Sequence, residues 1–174
     1  LAGKRVLLRV DMNVPMRDGA ITDTARIEKI IPTITEILSN GAGIVLASHL
    51  GRPKGQAVPE FSLEPLAPVL GSLLPDREVI FSADGSHQAA PGEIVLLENL
   101  RFNPGEEGND PAFAKSLAAH GDIYVDDAFS CAHRAHASID GVARLLPAAA
   151  GRLMQQELDA LNNALENPAH PVAA

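Results

Sequence analysis

Cysteine occurs once, at Cys131, and tryptophan not at all. A single thiol closes no intrachain disulfide, so stability has to come from the core. Aromatic residues are limited to Tyr124 and the phenylalanines at 61, 81, 102, 113 and 129. What remains is an aliphatic composition rich in Ala, Leu, Ile and Val, which suits an α/β core. No apolar run approaches the ~18 residues of a membrane span. No N-terminal segment joins basic residues, an apolar run and a cleavage site, so the chain reads as cytoplasmic. It begins at Leu1 and not at Met, and residues of the natural N-terminus are expected to be missing.

Positive charge is in deficit too. Lys and Arg number 14 against 22 Asp and Glu, which leaves −8. That balance repels nucleic acid and anionic lipid at long range, and no basic stripe exists for a polyanion. A local basic pocket is still allowed, because surface fields are screened within about 8 Å at physiological salt. The chain has neither a Walker A loop nor a G-x-G-x-x-G signature. Internal repeats, low-complexity tracts and a nucleophile elbow are equally absent.

Present instead is an alternation of short apolar runs with segments of helical period, the pattern of a doubly wound α/β sheet. At 174 residues the chain fits one domain, and a domain near ~150 residues buries roughly 70% of its unfolded surface. Strands are predicted at Val6–Val10, Ile44–Ala47, Ile94–Leu97 and Ile123–Val125. Thr24 is placed to cap a helix carrying Ile27, Ile30, Ile31, Ile34, Ile37 and Leu38, with Gly41 as its stop. Further helices are predicted over Ser62–Leu74 and Pro111–His120, although Pro65 and Pro68 weaken the first. Gly151–Glu166 has the strongest helical pattern, through Leu153, Met154, Leu158, Leu161 and Leu165. Residues 1–166 are read as one domain, and residues 167–174, with Pro168 and Pro171, as the start of a linker.

Each predicted strand runs into polar residues. Asp11-Met12-Asn13 follows the first, Ser48-His49-Leu50-Gly51-Arg52 the second, Glu98 to Arg101 the third and Asp126 to His136 the fourth. In an open parallel sheet, ligands sit outside the carboxyl ends of the strands. Cations converging there from several exits would call for an anion. Arg52 can grip a phosphate or carboxylate with two hydrogen bonds beside glycines that permit close backbone approach. Arg26 falls at a helix N-terminus, where the dipole and free N–H groups also favour anions.

Each segment alone has a plainer reading. Asp11 and Asn13 suit an Asx turn, and Ser48–Gly55 suits a solvated turn. Cys131, His133 and His136 form a Cys-x-His-x-x-His sequence compatible with zinc, but Arg134 among them would repel a cation and no second cysteine completes a set. Glu106-Glu107 and Asp126-Asp127 are expected to be solvated or capping carboxylates, not an acid/base pair.

Taken together, Lys4–Pro15, Ser48–Gly55, Leu97–Glu107, Asp126–Ser138 and Gly151–Leu158 resemble the N-terminal half of the phosphoglycerate kinase family, in family order across nearly all of the chain. The resemblance implies a Rossmann-like parallel sheet with helices on both faces. It also implies reversible phosphoryl transfer from 1,3-bisphosphoglycerate to ADP, giving 3-phosphoglycerate and ATP. By resemblance, Asp11 and Asn13 orient the glycerate hydroxyl and carboxyl end, and His49, Arg52, Arg101 and Arg134 surround the substrate as a basic patch. Met12, Leu50 and Gly51 belong to the same binding segments. Arg26 matches the arginine that supports the transferring phosphoryl group.

Mg-ATP or Mg-ADP would then bind a C-terminal domain of the same polypeptide, because the family's glycine-rich, lysine-bearing nucleotide segment is not found here. No cofactor or metal is expected in this chain, which looks like half an enzyme, and a monomer is expected. The chain reads Asp126-Asp127-Ala128-Phe129-Ser130 where the family often has Asn-Asp-Ala-Phe-Gly, adding a negative charge near the basic patch. Two other readings stand beside this one: a stand-alone anion-binding module without catalysis, and a zinc-stabilised structural domain.

Overall fold

In the computed structural model, which describes residues 1–17 and 20–166, the elements follow in chain order. They are β1 (Arg5–Val10), β2 (Met16–Arg17), β3 (Ala20–Ile21), α1 (Ala25–Ser39), β4 (Gly43–Ala47), α2 (Leu66–Ser72), β5 (Val79–Ser82), β6 (Ile94–Leu97), α3 (Pro104–Glu107), α4 (Pro111–Ala118), β7 (Ile123–Asp127), β8 (Ala148–Ala150) and α5 (Arg152–Glu166). The segment 167–174, expected to begin a linker, lies outside the described residues.

β1 is buried on both faces and stands inside the sheet, as such a strand must. The strand order is β5-β6-β4-β1-β7-β8, and every pair in it is parallel. From β1 the chain passes to β4 on one side and later returns to β7 on the other, so the loops leaving β1 diverge. That reversal opens a crevice at the carboxyl ends of β1, β4 and β7.

Alternation in β1 divides the core. Val6, Leu8 and Val10 pack with Ile44, Leu46, Ile94 and Leu96 against Ile27, Ile30 and Ile34 of α1 and Leu66 and Leu70 of α2. On the opposite face, Leu7, Val45, Val95 and Tyr124 pack against Leu117 of α4 and Val142. Helices therefore cover both faces, the doubly wound arrangement that the alternation predicts. None of the described helices is long and apolar enough to cross a membrane.

Helix ends follow local chemistry, with some departures from expectation. Thr24 does occupy the N-cap position of α1, but its hydroxyl donates to Glu28 Oε1 (2.6 Å), and the free Ala25 N–H is met by Asp23 Oδ1 (2.8 Å). A carboxylate one residue earlier is the stronger acceptor for that N–H. Gly41 stops the helix at φ +76°, a left-handed conformation that suits glycine. The helix predicted over Ser62–Leu74 contracts to α2. Pro65 becomes its N-cap, and Pro68 sits in the first turn, where a missing N–H breaks no intrahelical bond. α4 is capped by the Asp110 side chain, which accepts from Phe113 N (2.8 Å). α5 is tied to α1 by Arg152, paired with Glu36.

Two strands of the sheet, β5 and β8, were not predicted. β5 is a four-residue run in which only Ser82 is buried, and β8 is three alanines, which carry no strand propensity. Their pairing with β6 and β7 makes them strands.

Candidate functional site

As the chain leaves β1, Met12 turns its side chain into the core. The side chains of Asp11 and Asn13 then face the crevice between the β4 and β7 loops. Asp11 Oδ1 accepts from Asn13 N (3.0 Å), the Asx turn that the spacing suggested. Asn13 Oδ1 in turn accepts from Gly51 N (2.9 Å), and Met12 N donates to Ser48 Oγ (2.9 Å). The exits of β1 and β4 are thereby locked together. Gly51 is required twice over, because its φ is +63° and a Cβ there would lie 2.5 Å from the Phe61 ring. Leu50 is core, so Met12 and Leu50 can meet a ligand only through their backbone.

The third exit is organised by Asn99. Its side-chain amide donates to Leu50 O (2.7 Å) and Phe61 O (2.8 Å), and its oxygen accepts from Arg101 N (3.0 Å). Arg101 then donates to Gly51 O (2.8 Å) and pairs with Glu107 (3.3 Å). After β7, the turn at Phe129–Cys131 carries Ser130, which donates to Asp11 Oδ2. Arg26, in the first turn of α1, donates to that same oxygen.

These groups meet in a cavity of about 260 Å³. Arg26, Arg52, Arg101 and Arg134 line it with Asp11, Asn13 and His49, and so do Gly51, Ser130 and Cys131. A second cavity of about 220 Å³ shares Asp11, Arg26 and Ser130 and extends toward Lys29 and Glu157. A larger cavity of about 650 Å³, beside Phe113, Leu117 and His120, holds no arginine or lysine. Charge, not volume, singles out the four-arginine cavity.

Electrostatics in the site follow from burial. Burial alone would raise the Asp11 pKa, but hydrogen bonds from Ser130 and Asn13 and the Arg26 charge outweigh it and hold the carboxyl below its ordinary value. His49 is pushed down to about 3, by burial first and then by the Arg9 and Arg101 charges. It is therefore a neutral imidazole at physiological pH.

Behind the cavity lies a buried polar chain that sequence reasoning missed. Arg9 is 1% exposed and donates through Nε to Ser138 Oγ (2.9 Å), while its Nη2 lies 3.1 Å from His49 Nδ1. The Ser138 hydroxyl donates to Glu106 Oε1 (2.6 Å), and its backbone N–H donates to Glu106 Oε2 (3.0 Å). A lone arginine in an apolar run was the available signal, since a charge on a two-face-buried strand must be partnered.

Several expectations change here. Glu106 and Asp127 are fully buried and not solvated. Glu106 accepts from Ser138, and Asp127 accepts from Thr33 Oγ1 (2.6 Å) and from Met154 N (3.0 Å) at the start of α5. Both act as internal caps, which burial makes strong. Asp126 lines a separate cavity of about 300 Å³ with Tyr124 and the β8 alanines and is not among the residues that line the arginine cavity, and burial raises its pKa. The zinc reading gains no support, because Cys131 is buried, His133 is exposed and His136 sits 3.7 Å from Glu106. Among the described residues, no group of three or more His, Cys, Asp or Glu side chains could hold a metal.

The family model for phosphoglycerate kinase matches residues 1–174. Phosphoglycerate kinase of Methylobacterium radiotolerans is 55% identical, aligned over all of this chain and 45% of its own length. That of Sinorhizobium fredii is 54% identical with the same coverage. Among solved structures, phosphoglycerate kinase from Coxiella burnetii superposes with a TM-score of 0.92 at 44% identity, over 98% of this chain and 44% of that one. The Pyrococcus horikoshii enzyme gives 0.85 at 35% identity, over 98% of this chain and 45% of that one. The chain thus spans somewhat less than half the length of the relatives it matches. On this match and this fold, the chain belongs to the phosphoglycerate kinase family and corresponds to its N-terminal domain.

Proposed function

We propose that this chain is the phosphoglycerate-binding part of a kinase that reversibly moves a phosphoryl group between 1,3-bisphosphoglycerate and ADP. The observation that carries the reading is the convergence of Arg26, Arg52, Arg101 and Arg134 on one cavity with Asp11 and Asn13. 3-Phosphoglycerate has roughly three negative charges near neutrality, by ordinary phosphate and carboxylate ionisation. Four guanidiniums complement those charges, and the acceptors on Asp11 and Asn13 suit its hydroxyl.

In this reading Asp11 and Asn13 orient the glycerate end, with backbone help from Met12, Leu50 and Gly51. His49, Arg52, Arg101 and Arg134 hold the anion, and Arg26 neutralises charge on the phosphoryl group in transit. Phosphoryl transfer is served by positioning and charge neutralisation more than by covalent help from the protein. Residues 1–166 form the phosphoglycerate-binding unit, and residues 167–174 lead toward the second domain.

Mg-ATP or Mg-ADP would supply or accept the phosphoryl group. The described residues do not fit it, because they provide neither a phosphate-cradling lysine loop nor a cluster of metal ligands. In this reading the nucleotide is held by a C-terminal domain of the same polypeptide. The protein would work in the cytoplasm as a monomer, without nucleic acid or membrane.

Thermal shift with 3-phosphoglycerate and with Mg-ATP, beside a coupled kinase assay, tests the reading on the 174-residue chain. Stabilisation by 3-phosphoglycerate that declines with salt, with no comparable effect of Mg-ATP and no turnover, is the expected result. Turnover by this chain, or stabilisation by Mg-ATP alone, would overturn the division of labour.

A further inference from the structure

Arg9 is the one arginine of the site region that never reaches the cavity. It lies on β1 in register with Ala47 of β4 and Asp126 of β7. No carboxylate among the described residues pairs with it directly. Its charge is offset at one remove, through the Ser138 hydroxyl that bridges to Glu106. A third contact, to Val10 O, completes its anchoring.

A guanidinium has five N–H donors, no acceptor, and keeps its proton at any pH a protein survives. The 3.1 Å contact between Arg9 Nη2 and His49 Nδ1 is therefore a hydrogen bond only if Nδ1 accepts. The ring proton must then sit on Nε2. His49 lines the cavity, and with Nδ1 held by Arg9 its Nε2 is the ring nitrogen left for a ligand.

We propose that Arg9 is a positioning residue for this site: by donating to Nδ1 it fixes His49 as the neutral Nε2–H tautomer and presents that N–H to the bound anion. The proposal rests on the reading of the cavity as a phosphoglycerate site. The arrangement supplies a donor that does not titrate in the working pH range. The charged and titratable groups facing the ring are Arg9 from β1, Asp11 after it, Arg101 from the third exit and His136 from beyond β7. Burial most of all, and then Arg9 and Arg101, oppose a charge on the ring; Asp11 favours it and His136 opposes it.

Nitrogen-15 NMR of the His49 ring, with titration of 3-phosphoglycerate between pH 6 and 8, tests this in wild type, Arg9→Met and Arg9→Lys. Wild type is expected to show an unprotonated Nδ1 and a protonated Nε2 throughout. Arg9→Met keeps the length but loses the donor. It should mix tautomers, bind about tenfold or more weakly at pH 8, and recover affinity relative to wild type as pH falls and the ring becomes cationic. Arg9→Lys should restore the tautomer. A wild-type ring protonated on Nδ1, or an Arg9→Met protein with wild-type tautomer and pH profile, overturns the role. The wild-type spectrum decides even if Arg9→Met does not fold. Correct tautomer without any response to 3-phosphoglycerate overturns instead the anion assignment on which the donor role depends.

Discussion

The guanidinium of Arg26 reaches across the mouth of the cavity and donates to the carboxylate of Asp11. A helix start and a strand end are joined in this way, with the arginine side chain half exposed. The pair keeps the Arg26 charge close to the position of a ligand phosphate while leaving it free to change partner.

Arg26→Ala in the full-length protein is therefore expected to lower turnover far more than it weakens 3-phosphoglycerate binding. Arginines that neutralise a transferring phosphoryl group are worth roughly 10³ to 10⁵ in rate. Steady-state kinetics beside calorimetry on the same variant separate the two effects. An unchanged kcat would remove Arg26 from the reacting end.

Arg101 and Arg134 should differ, although both face the cavity. Arg101 is buried and holds Gly51 O, so Arg101→Ala should cost affinity toward the upper part of the roughly 2 to 5 kcal/mol range for desolvated charged contacts and also lower stability. Arg134 is exposed, and Arg134→Ala should weaken binding less and leave stability nearly unchanged. Calorimetry and urea unfolding on both variants check this, and equal wild-type affinity in both would refute the basic-patch assignment.

His49 makes stability depend on pH. Its pKa is about 3 in the fold and near 6.5 when unfolded, so between those values the unfolded chain binds more protons. Stability from this group is full above about pH 6.5 and declines as pH falls toward 3, by a few kcal/mol at most on a scale of ~1.4 kcal/mol per pKa unit. Urea unfolding at pH 7 and pH 5 should show the decline in wild type and a shallower one in His49→Gln. Parallel slopes would mean that another group carries the dependence.

Gly151 sits directly against the Asp127 carboxyl, which is fixed by Thr33 and by Met154 N. A Cβ at this position would overlap that carboxyl, and a short, doubly bonded side chain cannot step aside. Gly151→Ala is expected to lower stability by about 1 to 3 kcal/mol, the usual cost of overpacking, with wild-type affinity for 3-phosphoglycerate in the fraction that folds. Wild-type stability would mean that the Asp127 carboxyl can yield to a side chain at the α5 junction.

Residue by residue, the chain itself determines a good deal. Two-face apolar runs at Val6–Val10, Ile44–Ala47 and Ile94–Leu97 define buried parallel strands, and the isoleucine spacing from Ile27 to Ile37 defines α1, because both are local patterns of hydrophobic period. The polar exits at Asp11, His49 and Arg101 were legible for the same reason. Only the tertiary structure decided what those exits touch. Ala148–Ala150 is a strand because β7 offers it an edge, and Glu106 and Asp127, charged and apparently suited to solvent, are buried because Ser138 and Met154 bring N–H donors to them. Arg9 in a buried run likewise acquires a purpose only when His49 and Ser138, 40 and 129 residues away, arrive beside it. Hydrophobic period is a short-range property that a sequence displays openly, whereas the partner of a buried charge is chosen by long-range convergence, which the strand order alone brings about.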